Sequence, residues 1–455
     1  MSASEASTFE QLLLESNDQK RTADLRQGVV SVDYYEDILS PTITAKIRVI
    51  NTGDTIAPKD SQNPEKTDGA KQSIYNGLPL RGGERLVMKI LDQGKTYKNK
   101  DKKGLDFSSD PKKYLFVSSI SQVFQETQRE SFLLNLVSRE AITNETTRVM
   151  KRYNGKISDT VKSILQNILK VDKTRFKVEN TIFTYDFVGN LRKPFSTITT
   201  LASKSIPAKS RDATAGYVFF QTQDGFQFKS VDTLIEGRSK ATYTYTQENQ
   251  SSTKRNNDYN ILQYNIDKNQ DLIENLRMGT YSFVRLSFNP LTFGFTQDQF
   301  KYGEKNKGLK KGIANLGKDL ELPKISDDSK KTLDDLPTRT ISQIVDVGAS
   351  TKVSKVTNYA ADKFQGQNIM RYNLLMAQNV SITVPCNTDL RAGDIIKCRF
   401  PKISREDEGE FDRETSGKYL IKDLCHHFEA KRSFTSMTLV RDTFGSSFLG
   451  VSGGS

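Results

Sequence analysis

The stretch LPLRGGERLVMKIL at residues 78–91 is echoed by TDLRAGDIIKCRF at 388–400, and each sits second in a series of strand-like blocks. The first series runs TITAKIRVIN (42–51), the 78–91 block, YLFVSSIS (114–121) and SFLLNLVSRE (131–140). The second runs NVSITV (379–384), the 388–400 block, GKYLIKDL (417–424) and SFTSMTLVRD (433–442), in the same order. Apolar residues alternate within the blocks, as in Ile43, Ala45, Ile47 and Val49 or Leu86, Met88 and Ile90, the period of a half-buried strand. Gly82 and Gly393 fall where the chain reverses between strands, and Gly83 beside them completes the turn. Such turns often need positive φ, which glycine reaches without steric cost. Leu80-Arg81-Gly82-Gly83-Glu84 aligns with Leu390-Arg391-Ala392-Gly393-Asp394, Tyr114-Leu115 with Tyr419-Leu420, and Arg139-Glu140 with Arg441-Asp442. The chain therefore reads as an α+β, mainly β protein holding two similar, small, barrel-like β-domains. A duplicated β-domain points to ring symmetry.

Length and composition bound the remainder. A chain of 455 residues exceeds one compact core and divides into several domains. We expect an N-terminal arm (1–24), a first β-domain (25–145), an α+β module (146–240), a β-rich segment (241–302), an insertion or linker (303–365), a second β-domain (366–445) and a tail (446–455). In the module, DTVKSILQNILK (159–170) sets Val161, Ile164, Leu165 and Ile168 on one helical face, with Ser158 or Asp159 as cap. A second helix follows Pro194. AGYVFFQTQDGFQFKSVDTLI (215–235) reads as a hairpin turning at Asp224-Gly225. No apolar run reaches membrane-spanning length, and the polar, acidic N-terminus lacks the pattern of a signal peptide.

Chemistry is sparse. The three cysteines, Cys386, Cys398 and Cys425, imply no disulfide framework. His426 and His427, the only histidines, follow Cys425, but the spacing matches no zinc pattern; in a strand Cys425 and His427 share a face that His426 leaves. The expectation is no metal, cofactor or catalytic residue. Phosphate-loop, HExxH and GxSxG motifs are missing, and Trp is absent. A net charge of +12, from 67 Lys and Arg against 55 Asp and Glu, raises a nucleic-acid reading. Much of the excess lies in KTYKNKDKKG (95–104) and KYGEKNKGLKKG (301–312), which read as solvated loops without aromatic interleaving.

Together the blocks ISDTVKSILQNIL (157–169), YDFVGNLRKPFSTITTLA (185–202), GYVFFQTQDGFQFKSVDTLI (216–235), LRAGDIIKCRFP (390–401) and SGKYLIKDLCHHFEAKRSFTSMTLVRD (416–442) resemble the central baseplate hub protein of contractile-tailed phages, most closely T-even-type myoviruses of marine bacteria. The likeness spans most of 25–445 and extends to the tube-like part of type VI secretion VgrG spikes. It implies a non-enzymatic structural subunit of the virion tail baseplate, assembled in the host cytoplasm. The two domains would be tube domains, and a homotrimer would form a pseudo-sixfold ring joining the tail tube protein to the central spike protein. Baseplate wedge proteins and the tape measure protein are further implied partners, with DNA only as passing cargo. Insertions at 54–74, 92–112 and 303–350 depart from the family plan. A basic nucleic-acid-binding protein and a tail-associated cell-wall hydrolase are the alternatives.

Overall fold

The computed structural model describes residues 7–51, 73–91, 104–208, 214–246, 259–268, 270–303, 315–349, 358, 364–402 and 411–445. The basic stretches lie outside these residues except for Gly104 and 301–303, as do nearly all of the 54–74 insertion, residues 251–258 and the tail.

The first β unit contains β1 (Thr8–Glu15), β2 (Thr22–Asp24), β3 (Val29–Asp37), β4 (Thr44–Asn51), β5 (Arg85–Leu91), β6 (Leu105–Phe107), β7 (Leu115–Gln125) and β8 (Glu130–Ser138). Strand alternation drives Ala45, Ile47, Val49, Leu86, Met88, Leu134 and Leu136 into one core. Two expectations are corrected here. Residues 8–24 are not a separate arm, because β1 pairs antiparallel with β5 and β2 with β1, and Leu12 and Leu14 are fully buried. The end of the 92–112 insertion likewise belongs to the core, since β6 pairs with β5 and buries Leu105 and Phe107.

The module follows, with β9 (Arg152–Tyr153), β10 (Phe176–Val178), β11 (Phe187–Val188), β12 (Tyr217–Thr222) and β13 (Gly225–Ser230). Helix Ile157–Ser163 widens into a π turn over Ile164–Ile168, where Leu169 N donates to the Ile164 carbonyl at 3.1 Å. Val161, Ile164 and Leu165 are buried and Ile168 packs beside them. Lys156, rather than Ser158 or Asp159, is the N-cap residue, and the Ser158 amide donates to Thr181 Oγ1. In the hairpin, Thr222 pairs with Gly225, so the two-residue loop is Gln223-Asp224 and the expected turn shifts by one. Gly225 instead starts β13 at φ +112°, and a Cβ there would lie 2.1 Å from the Arg175 carbonyl oxygen.

The second β unit draws on more sequence than 366–445. It combines β14 (Ser239–Tyr245), β15 (Asn260–Ile261) and β16 (Gln263–Lys268) with β20 (Gln378–Pro385), β21 (Ile395–Arg399), β22 (Gly417–Glu429) and β23 (Ser433–Arg441). The segment 241–302 is therefore split. Its later part, β17 (Ser282–Asn289) and β18 (Gly294–Lys301), forms a separate sheet with β19 (Arg339–Ile344). β19 pairs parallel with β17 through six residue pairs, so 303–365 is not a plain linker. Leu316 also packs in the apolar cluster with Val231, Leu234 and Val440.

The two units share one strand order. In the first, β4, β8, β7 and β5 are successive neighbours; in the second, β20, β23, β22 and β21 are, and every pair in both sets is antiparallel. A register shift interrupts β7–β8 between Val117 and Ser119 and β22–β23 between Ile421 and Asp423, so the units also share a bulge.

Candidate functional site

The turn before β5 and the turn before β21 are built alike. Gly83 N donates to the Val117 carbonyl at 2.7 Å, and Val117 N donates in return to the Glu84 carbonyl at 2.9 Å. Gly393 N donates to Ile421 O at 2.8 Å, and Ile421 N donates to Asp394 O at 2.9 Å. Glu84 Oε1 accepts the Arg81 amide at 2.6 Å, as Asp394 Oδ2 accepts the Arg391 amide at 3.0 Å. Val117 thus corresponds to Ile421 and Leu115 to Tyr419. The sequence alignment of Tyr114-Leu115 with Tyr419-Leu420 is one residue out. Through β8 and β23 the same slip makes Leu136 the counterpart of Leu439 and Ser138, not Arg139, that of Arg441. Side chains alternate faces along a strand, so a one-residue slip exchanges inside for outside: Tyr419 lines the second core, whereas Leu420 packs in the cluster against the module.

The four turn glycines have distinct surroundings. Gly82 and Gly83 have φ of +96° and +92°, Gly393 +86° and Gly225 +112°. A Cβ on Gly83 would come 3.0 Å from Asn17 Oδ1, and one on Gly393 would come 3.0 Å from Phe220 Cζ of the hairpin. Ala392 stands where Gly82 stands in the first turn, and its amide is the point of difference. Gly82 N donates to its own turn's Glu84, whereas Ala392 N donates at 2.9 Å to Glu36 Oε2, from β3 of the other unit.

Glu36 is therefore where three parts of the chain meet. Its Oε1 accepts the Gln223 amide of the hairpin at 2.7 Å and the Tyr34 hydroxyl at 2.8 Å. Burial pushes its carboxyl up to about 7, against the pull of Arg391 and the three donors. The signal for this residue was in the sequence: Val32, Tyr34 and Glu36 share the inward parity of β3, and an acid at such a position must find donors inside.

Beside Glu36 runs the seam between the units. β22 pairs with β21 over 417–420 and then, past its bulge, with β3 from Asp423↔Asp37 to Glu429↔Ser31. His426 is buried, stacks on Tyr34 with centroids 6.1 Å apart and meets Thr435 Oγ1 at 2.9 Å. Burial lowers its imidazole to about 3, so it is neutral at physiological pH. Cys425 and His427 share the opposite face, where Cys425 Sγ lies 3.7 Å from His427 Nδ1, which in turn lies 2.8 Å from Asp33 Oδ1. These are the one group of three potential metal ligands among the described residues, the third arriving from 394 positions away. Burial raises the Cys425 thiol to about 12, so it is protonated, while His427 and Asp33 satisfy one another. Cys398 is a core residue and Cys386 is half-buried.

No family model matches the chain. Over 294 residues, 63% of this chain and 66% of the other, it is 20% identical to the probable baseplate hub protein gp334 of Vibrio phage KVP40. The match thus spans just under two thirds of that relative's length. In structure the chain is similar to the tail protein from Neisseria meningitidis MC58, with TM-score 0.51 at 10% identity over 95% of this chain and 96% of that one. It is also similar to the 43 kDa tail protein of prophage MuSo2 from Shewanella oneidensis, with TM-score 0.50 at 8% identity over 95% and 99% of the two chains. The chain is hub-like in sequence and has the fold of phage tail proteins, mainly β with α+β elements. Among the described residues no helix is long and apolar enough to cross a membrane.

Proposed function

We propose that this chain is a structural subunit of a phage tail baseplate, a hub that acts as a homotrimer between the tail tube and the central spike. The observation that carries the reading is the doubled unit: two sets of four strands with one order, one turn design and one bulge, fused through β22 and β3. A trimer of such chains presents six similar units about a threefold axis, which reconciles a sixfold tube with a threefold spike. The baseplate likeness of the Vibrio phage relative supports the location in the virion tail, and the tail-protein fold supports a structural rather than a catalytic role.

In such a trimer the continuous sheet would form the wall of an enclosed channel for DNA ejection. On the face away from the cores it presents Asp33, Tyr35, Lys46, Asp423, Ser436 and Thr438, a mixture of signs and hydroxyls. Such a surface would let DNA pass without the grip of a basic lining. Wedge and tape measure proteins are contacts of the same proposed assembly.

Light scattering of the purified chain, alone and with its spike partner, tests the reading. A mass three times that of the chain is expected at micromolar concentration in at least one condition. A monomer in both would overturn it.

A further inference from the structure

The seam inside the chain specifies a second seam between chains. β3 and β16 are counterparts: β3 runs antiparallel beside β4 with Tyr34 opposite Ala45 and Val32 opposite Ile47, and β16 runs antiparallel beside β20 with Ile266 opposite Val380 and Tyr264 opposite Ile382. Ala45 and Val380 are equivalent, because each faces an equivalent leucine, Leu136 or Leu439, on the next strand. β7 and β22 are counterparts by the shared turn and bulge. Within the chain β22 takes β3 along its 423–429 edge, but β7 past Val117 and β16 each pair on one side only among the described residues.

Exposure follows this difference. Tyr34 is 0% exposed under β22, and its counterpart Ile266 is 37% exposed. On the other open edge Val123 is 42% and Phe124 53% exposed, at the positions where β22 places its two histidines against β3. Apolar side chains beside unpaired strand edges are a template for another strand.

We infer that β7 of one subunit pairs antiparallel with β16 of a second copy of this chain, repeating the internal β22–β3 seam. The inference rests on the trimer reading and gives it a contact. Transferring the internal register sets Phe124 opposite Asn265, as His427 stands opposite Asp33, and Gln125 opposite Tyr264, as Phe428 stands opposite Val32. The extra residue in the β7 bulge, between Ser121 and Phe124, brings Val123 level with Ile266. A heterologous contact of this kind closes when its rotation is that of a ring. In a trimer three internal and three external seams would alternate.

Disulfide trapping tests the pairing. Opposed residues of antiparallel strands stand about 4.5–5.5 Å apart between Cα atoms, within the reach of a disulfide. Phe124→Cys with Asn265→Cys, placed together in a Cys386→Ser background and oxidised with and without the spike partner, should give covalent species ending at the trimer; either cysteine alone should not. Phe124→Asp should weaken association at least about tenfold, with an unchanged circular dichroism spectrum. A trimer by light scattering that yields no cross-link would overturn the pairing and leave the trimer reading standing. Cross-linked chains that continue beyond three would uphold the pairing and overturn the closed trimer. A monomer under every condition would overturn both.

Discussion

At the scale of single residues, two buried titratable groups at the seam pull stability in opposite directions. Glu36 has its carboxyl raised from 4.5 to about 7 by burial, so the folded state binds this proton more tightly than the unfolded chain. Its favourable contribution is complete below about 4.5 and is lost as pH rises to about 7. His426 is lowered from 6.5 to about 3, so its contribution is present above 6.5 and is lost as pH falls toward 3. Between about 4.5 and 6.5 the two slopes offset each other, and below that window the histidine acts alone. Glu36→Gln should remove the descending slope, so that denaturant midpoints rise with pH from 4.5 to 7 more steeply than in the parent. At neutral pH the same variant should lose about 1–3 kcal/mol, because an amide offers one acceptor oxygen where the carboxylate offers two to Gln223, Tyr34 and Ala392. Glycines of the turns act through the backbone instead. Gly393→Val should cost about 1–3 kcal/mol in urea unfolding through its φ of +86° and the contact with Phe220. Gly225→Ala should cost more, since its Cβ meets the fixed Arg175 carbonyl rather than a movable ring.

At the scale of elements, what could be read in the sequence follows from the range of the interaction concerned. Strands β4, β5, β8, β20, β21 and β23 were legible because alternation is local, as were the amphipathic helix at 157–168 and the β12–β13 hairpin. The slip at Tyr114-Leu115 shows the limit. Two Tyr-Leu dipeptides look equivalent, yet register is set by the turn's hydrogen bonds to Val117 and Ile421, which the dipeptide does not encode. β1 and β19 were missed because their partners lie far along the chain, β19 in a stretch whose Lys, Asp, Gly and Pro content reads as solvated, and β2 because it is three residues long and pairs only with β1. Glu36 and the Asp33–His427 contact belong to the same class, joining positions that only the β22–β3 seam brings together. β19 supports a prediction opposite to the one composition favours. Replacing 315–349 by a Gly/Ser linker should strip β17 of a parallel partner and remove Leu316 from its cluster and Ile341 from the Phe283–Phe300 core. The shortened chain should show a lower melting temperature and faster proteolysis at 282–301; an unchanged melting curve would mean that this sheet stands on β17 and β18 alone.

At the scale of the whole molecule, the fusion of two β units into one sheet decides how the protein opens and how it assembles. Because β22 hydrogen-bonds to β23, β21 and β3, separating the units exposes the buried His426, Tyr34 and Glu36 together. Neither unit should therefore detach below global unfolding. Among the described residues the β17–β18–β19 sheet has no strand pairing to that large sheet, and its Phe293, Phe295 and Ile344 are among the most exposed apolar side chains described. Hydrogen exchange should separate these regimes. Amides of 424–428 should exchange only with both β cores, while those of 282–301 and 339–344 should exchange through a smaller opening. Assembly adds a third pattern. Those amides of 119–125 and 263–268 that face away from β8 and β20 should exchange quickly in a monomer and become slow in the proposed trimer, since strand pairing would cover backbone groups that are otherwise at an edge. If trimer formation left those two segments fast while slowing the 282–301 sheet, subunits would meet through the smaller sheet, and the repeated seam would be confined to the interior of each chain.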